Sequence, residues 1–284
     1  LAMVSRLLKN GRPVSVVVKG PSGSGKSYSV QQVTCLHPAK ALYSFTAASQ
    51  RALVFTPEEF SHRVIWVAEA NQLNSGADET NILAQMLRSL LSEGRIIYEI
   101  SEKDLEGNMT TRRIVKEGPT GLILGTTADK IHAENETRML SLYTDDTEEQ
   151  TARIVTAAAA AQASETDQSE ELRDAQLRIW QAAHLLLEVQ GVCKVSIPFL
   201  PDVVAAVRRM PTRFRRDLTS TVPGLIRASA LLHQHTREIV DGRVVATLED
   251  YELVRLIVDD TLSRELDGAL SDRELKVLGA IVGS

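Results

Sequence analysis

The octet Gly20-Pro21-Ser22-Gly23-Ser24-Gly25-Lys26-Ser27 follows the β-branched run Pro13-Val14-Ser15-Val16-Val17-Val18-Lys19 and opens a helical stretch reaching Leu36. It satisfies Gly-x-x-x-x-Gly-Lys-Ser/Thr at every defined position. Strand, loop and helix is also the order in which that pattern wraps a phosphate. The glycines let the backbone curl with its N–H groups turned inward. Lys26 brings a point charge to the β- and γ-phosphates, the Ser27 hydroxyl is placed to ligate Mg2+, and the helix adds its positive end. Residues Gly20, Pro21, Ser22, Gly23, Ser24, Gly25, Lys26 and Ser27 are therefore expected to hold ATP with Mg2+.

Working outward, the first half alternates β-like runs with helical ones. Strands are expected at 41–46, 63–68 and 121–125, and helices at 27–36, 49–53 and 81–92, where Ile82, Leu83, Met86, Leu87, Leu90 and Leu91 recur at helical spacing. Between the last helix and the last strand, residues 95–101 and 110–116 flank a polar turn containing Gly107-Asn108, which reads as a hairpin. Alternation of this kind predicts an α/β fold with a mainly parallel sheet and helices on both faces.

The second half changes character. An alanine-rich helix is expected at 151–163, then helices at 170–189, 202–209, 213–235 and 248–266, with a small Asp241-Gly242 hairpin between the last two. The shift puts a domain boundary near 150–165. The organisation expected is an ATPase core over 1–150 with a hairpin insert at about 95–116 and an α-helical unit over 151–270. Residues 271–284 open with Ser271 and Glu274, a helix-start pattern, and read as the beginning of a further, truncated element.

Composition sets the outer bounds. The 284 residues suit about two domains, and 43% hydrophobic with 24% charged residues is ordinary for a chain with a substantial core. Two unrelated cysteines, Cys35 and Cys193, make neither a disulfide framework nor a cysteine zinc site, and two buried reduced thiols in the cytoplasm are expected. The longest apolar stretch, 154–161, is far short of the ~20 residues of a membrane span. A net charge of −5 and 4% aromatic residues argue against a broadly basic or base-stacking surface, though not against a local DNA-contacting element.

A phosphate loop alone names no reaction. The other half of the site should be a strand ending in an acidic residue, and Val64-Ile65-Trp66-Val67-Ala68-Glu69 fits. The usual run ends Asp-Glu; here Ala68 stands at the aspartate position. Glu69 is left to orient the attacking water and Ser27 to be the chief protein ligand of magnesium.

With these two motifs about forty residues apart, the chain resembles the AAA+ ATPases. Gly121 to Gly125 runs into Thr126-Thr127, similar to that family's first sensor, whose strand lies between the acidic and phosphate-binding strands; either threonine could serve, and Thr127 is preferred. Arg138, in Glu134-Asn135-Glu136-Thr137-Arg138-Met139-Leu140, resembles the finger that completes a neighbouring subunit's site. Pro211-Thr212-Arg213-Phe214-Arg215-Arg216-Asp217-Leu218 opens a lid helix where a second sensor would lie, at Arg215 or Arg216. The hairpin before the sensor strand resembles the pre-sensor hairpin of the clade holding superfamily 3 and minichromosome-maintenance helicases, and the ATPases of mobile-element replication. That resemblance implies a homo-oligomeric, hexameric ring with Lys103, Arg112 and Arg113 of the hairpin touching DNA in its pore.

The expectation is thus a cytoplasmic, ring-forming ATPase that moves on or remodels DNA, as a helicase or translocase. Its rivals are a protein-remodelling or regulatory AAA+ switch without a nucleic-acid substrate, and a slowly hydrolysing nucleotide-dependent scaffold suggested by Ala68.

Overall fold

The computed structural model describes residues 1–69, 81–103, 106–128, 137–163, 167–190, 194–206 and 217–267. Its strands, in chain order, are Val16–Lys19 (β1), Leu42–Phe45 (β2), Arg63–Val67 (β3), Arg95–Lys103 (β4), Met109–Glu117 (β5), Thr120–Thr126 (β6), Leu140–Tyr143 (β7), Lys194–Ser196 (β8), Ile239–Val240 (β9) and Arg243–Val245 (β10). Five of them form one sheet in the order β2-β3-β6-β1-β7, parallel throughout. The chain is α/β. β1 and β6 are buried along their whole lengths, which is why both read as unbroken apolar runs rather than alternating ones.

Alternation along β1 sends side chains to two separate cores. Val17 joins Ile65, Val67, Leu122 and Leu124 under Ala52–Phe55 (α3) and Ile82–Glu93 (α4), with Leu53, Leu83, Leu87 and Leu90 filling the layer. Val16 and Val18 join Val64 and Ile123 on the other face, beneath Met3 and Val30, from the helices Ala2–Ser5 (α1) and Lys26–Thr34 (α2). Helices therefore cover both faces.

Among the described residues β4 and β5 form a sheet of their own, antiparallel, from Arg95 opposite Glu117 out to Lys103 opposite Met109. The strands run further than the sequence suggests, so Lys103 closes a strand instead of riding in the turn. Ile96, Tyr98 and Ile114 anchor the base of the hairpin against the α4 core, and the buried Lys116 donates to the Glu58 carbonyl at 3.0 Å. Residues 106–113 are exposed.

The second half holds Glu148–Ala163 (α5), Asp167–Val189 (α6), Leu200–Ala206 (α7), Val222–Leu232 (α8) and Leu248–Asp267 (α9), with the small sheet β8-β10-β9. Of the long helix expected over 213–235, residues 213–216 lie outside the described residues and the remainder is not one regular helix. Pro223 lacks the N–H that an uninterrupted helix needs, and α8 starts beside it after a π-type turn at Asp217–Thr221. The tight turn at Asp241 and Gly242, with φ of 49° and 70°, joins β9 to β10 as the Asp-Gly pair predicts.

α8 is the buried spine of this half. Leu225, Ile226 and Leu231 pack with Val254 and Val258 of α9, with Val195 and Val244 of the small sheet, and with Val4, Leu7 and Leu8 from the N-terminal segment. The two halves thus share a core through α1. Asp250 is fully buried in it, accepting from Ser229 Oγ at 2.7 Å, from Arg237 through both oxygens, and from the Thr247 N–H at 2.9 Å. No helix among the described residues is long and apolar enough to cross a membrane. Cys35 is half-buried, less covered than expected, because it caps the end of α2; Cys193 lies outside the described residues.

Candidate nucleotide-binding site

In an open parallel sheet, ligands gather outside the carboxyl ends of the strands. β1 is paired to β6 and β7 so that Lys19 lies opposite both Thr126 and Tyr143. β6 itself stands between β3 and β1, so three neighbouring strands deliver Ala68-Glu69, Thr126-Thr127 and the glycine loop to one edge. A cavity of about 570 Å³ opens there, lined by Ser22, Gly23, Gly25, Lys26, Ser27, Tyr28, Ala68, Glu69, Gly125, Thr126 and Thr127.

The loop leaves β1 at Gly20, whose N–H donates to the Thr126 carbonyl at 3.3 Å. A Cβ on Gly20 would lie 1.9 Å from Thr144 Oγ1 and 2.8 Å from Ser24 Oγ, so the loop can pass only with glycine there. Gly25 caps α2 in the left-handed region at φ 82°, again a position for glycine, and turns the first helical N–H groups toward the cavity. Thr144, the residue after β7, braces the loop, its hydroxyl 2.8 Å from Ser24 Oγ and its N–H bonded to the Lys19 carbonyl at 3.0 Å.

Lys26 bends back over the loop, donating to the carbonyls of Gly20 at 2.8 Å and Pro21 at 2.6 Å. Its charge is therefore fixed at the loop's mouth. Ser27 and Glu69 are exposed to the cavity, as is Thr127, whereas Thr126 is buried with its Oγ1 accepting from the Ala128 N–H at 3.0 Å. Of the two threonines, Thr127 is the one with free access.

A triphosphate and its metal fit these residues. The cradle is one that a Cβ would fill, the loop carries a cation, and a hydroxyl waits at the helix start. Among the described residues no group of three or more His, Cys, Asp or Glu side chains could hold a metal alone. Ser27 together with phosphate oxygens would hold Mg2+.

Beside the loop lies a second cavity of about 610 Å³, largely apolar, whose lining includes Met3, Val16, Tyr28, Val30, Tyr143 and Ile257. It links the loop helix to α1 and α9. Sequence reasoning missed this wall and Thr144 alike, because β7 and α1 span four residues each, too few to show a period.

Arg138 does not reach the cavity of its own chain. It precedes β7 at the opposite edge of the sheet, separated from the loop by the length of β1, ~13 Å at 3.3 Å per residue. Its Nε donates to Ser92 Oγ at 2.7 Å, at the end of α4. On the hairpin, Arg112 is ion-paired with Glu102 at 3.2 Å and Arg113 stands opposite Glu99, while Lys103 is exposed. Arg215 and Arg216 lie outside the described residues, as do Asp78 and Glu79 after the acidic strand and Glu134 to Glu136 before the arginine.

Searches with protein-family models and against curated proteins find no match to this sequence.

Proposed function

We propose that the chain is an ATPase of the AAA+ type, working as a ring-forming motor on DNA. The observation carrying the first part is the convergence of a complete phosphate loop, Lys26, Ser27, Glu69 and Thr127 on one cavity at the ends of three adjacent parallel strands. Phosphoryl transfer asks little covalent chemistry of a protein; it asks for position and charge. In this reading the loop amides and Lys26 neutralise the phosphates, Glu69 orients the attacking water, and Thr127 reports the γ-phosphate. The apolar cavity beside Tyr28 takes the base. Mg2+ supplies further neutralisation when bound through Ser27. Arg138, remote from its own cavity, acts on a neighbouring subunit's, and Arg215 or Arg216 joins from the helical unit.

The DNA part rests on the hairpin, which precedes β6 in the chain and exposes Lys103 near its tip. One lysine per subunit repeated around a ring concentrates positive charge in a narrow channel. The second reading is a protein-remodelling ATPase in a ring of the same kind. It is favoured by the hairpin's balanced charges, with Arg112 spent on Glu102 and Arg113 facing Glu99, and by the net charge of −5. ATPase rate with and without single-stranded and duplex DNA decides between them. Stimulation by either DNA supports the motor, hydrolysis indifferent to both supports remodelling, and no hydrolysis at all removes the ATPase reading.

A further inference from the structure

α6 carries an apolar seam that nothing among the described residues covers. Leu172, Ala175, Ile179, Ala182, Leu186 and Val189 follow one another at spacings of 3-4-3-4-3, the repeat of a helix that packs along its length against another helix. The opposite side of α6 is the one docked on the body, through Gln181, His184, Leu187 and Glu188. The seam itself faces away, with Leu172 62%, Ile179 69%, Leu186 51% and Val189 75% exposed. Leu185 flanks it and is exposed as well. α5 does not shield it, since α5 buries no residue of its own against any neighbour.

The sizes along the seam say what fits it. Large residues alternate with alanines, and the alternation is its own complement when the helix is reversed. Run antiparallel, Ile179 meets the partner's Ala182, Leu186 meets the partner's Ala175, and Leu172 meets the partner's Val189. The four inner layers then each pair one large side chain with one alanine, giving an even axis spacing. A parallel, in-register pair would instead stack alanine on alanine at two layers and leave voids between bulky ones, which close-packed interfaces do not tolerate. The flanks agree. The reversed register sets Arg178 beside the partner's Leu185 and Gln176 beside the partner's Ala183, so no like charges meet.

We infer that α6 is a self-association element, pairing antiparallel with α6 of a second copy about a two-fold axis midway between the Ile179 and Ala182 layers of the seam. This contact uses the same patch on both copies, unlike the head-to-tail contact that builds a ring, so the two can coexist. It does not rest on the nucleotide-site reading. The seam spans ~26 Å at 1.5 Å per residue, a small interface, and the dimer is expected to be concentration-dependent.

The test uses the full chain without nucleotide, in a Cys35→Ser/Cys193→Ser background. A mixture of Leu172→Cys and Val189→Cys chains, treated with a short bis-maleimide, should give a crosslinked dimer. Leu172→Cys alone should not, because the reversed register holds the two Leu172 positions ~26 Å apart. In sedimentation velocity the wild type should associate with rising concentration, and Ile179→Glu should weaken that association at least tenfold with its circular dichroism unchanged. Leu172→Glu checks the same point independently. Crosslinking of Leu172→Cys by itself, a wild type monomeric at high micromolar concentration, or seam variants that associate as the wild type does would each overturn the inference.

Discussion

Acid should loosen the docking of α6 onto the phosphate-loop helix, through His37. The His37 and His184 rings stack with centroids 3.8 Å apart, next to Gln181, which donates to the Cys35 carbonyl at the end of α2. Glu188, one turn on, pairs with Arg6 and with Lys40. His37 is 7% exposed, and burial first, then the neighbouring His184 and Arg6, lowers its pKa from 6.5 to about 3. Burial, with Arg6 nearby, lowers His184 too. Between those pH values the unfolded chain takes up a proton that the folded chain refuses. The contribution of a neutral His37 is therefore fully present above pH 6.5 and is lost as pH falls toward 3. For one group with these pKa values the loss between pH 7 and pH 5 is about 2 kcal/mol, and the figure barely depends on how far below 5 the folded value lies. Chemical denaturation at pH 7 and pH 5 measures it. His37→Gln, which stays neutral, should lose about 2 kcal/mol less on acidification than the wild type, and His184→Gln should show a change of the same sign. If His37→Gln loses as much stability as the wild type over that interval, the buried pair is not the acid-sensitive element.

Three further outcomes follow from named contacts. Asp250→Ala should cost about 3 kcal/mol in denaturant titration, because it leaves the half-buried Arg237 to the exposed Glu249 at 3.4 Å and frees Ser229 and the Thr247 N–H; a loss below about 1 kcal/mol would show that water replaces the carboxylate. Inactive Arg138→Ala mixed with inactive Lys26→Ala should regain part of the ATPase rate, since some interfaces then combine an intact loop with an intact arginine. No recovery in subunits shown to co-assemble would place Arg138 in a structural role beside Ser92. Lys103→Ala should leave basal ATPase activity intact while weakening DNA binding and its salt dependence; unchanged DNA affinity there and in Arg113→Ala would move the protein-remodelling reading to first place.

The sheet was largely legible because its three central strands are mostly buried: Val16 to Val18, Val64 to Val67 and Gly121 to Gly125 are apolar without interruption and stop at loop residues. The phosphate loop was legible for a different reason, since its glycines answer to local backbone demands that no distant contact can change. What escaped were elements too short to show a period. β7 leads directly into Thr144, which braces the loop, and α1 with the residues just after it places Val4, Leu7 and Leu8 in the core of the helical half, yet neither element spans more than four residues. The charge balance on the hairpin was visible in the residues, but the pairing of Arg112 with Glu102 depended on a register two residues longer than the turn signals gave. The reach of Arg138 is likewise a matter of topology, decided by which edge of the sheet β7 starts from.

The central claim is that Lys26 and Glu69 serve one nucleotide, the first in binding and the second in chemistry, and it is tested most directly by measuring ATP affinity and turnover on the same preparations. Lys26→Ala should lose most of its ATP affinity with the fold intact, since Lys26 is half-exposed and its amine donates to the loop carbonyls of Gly20 and Pro21. Glu69→Gln keeps shape and hydrogen bonding but cannot polarise water, so it should bind ATP as the wild type does and hydrolyse it at least a hundredfold more slowly, the scale of a lost general base. Undiminished ATP binding by Lys26→Ala, or wild-type turnover by Glu69→Gln, would contradict the account.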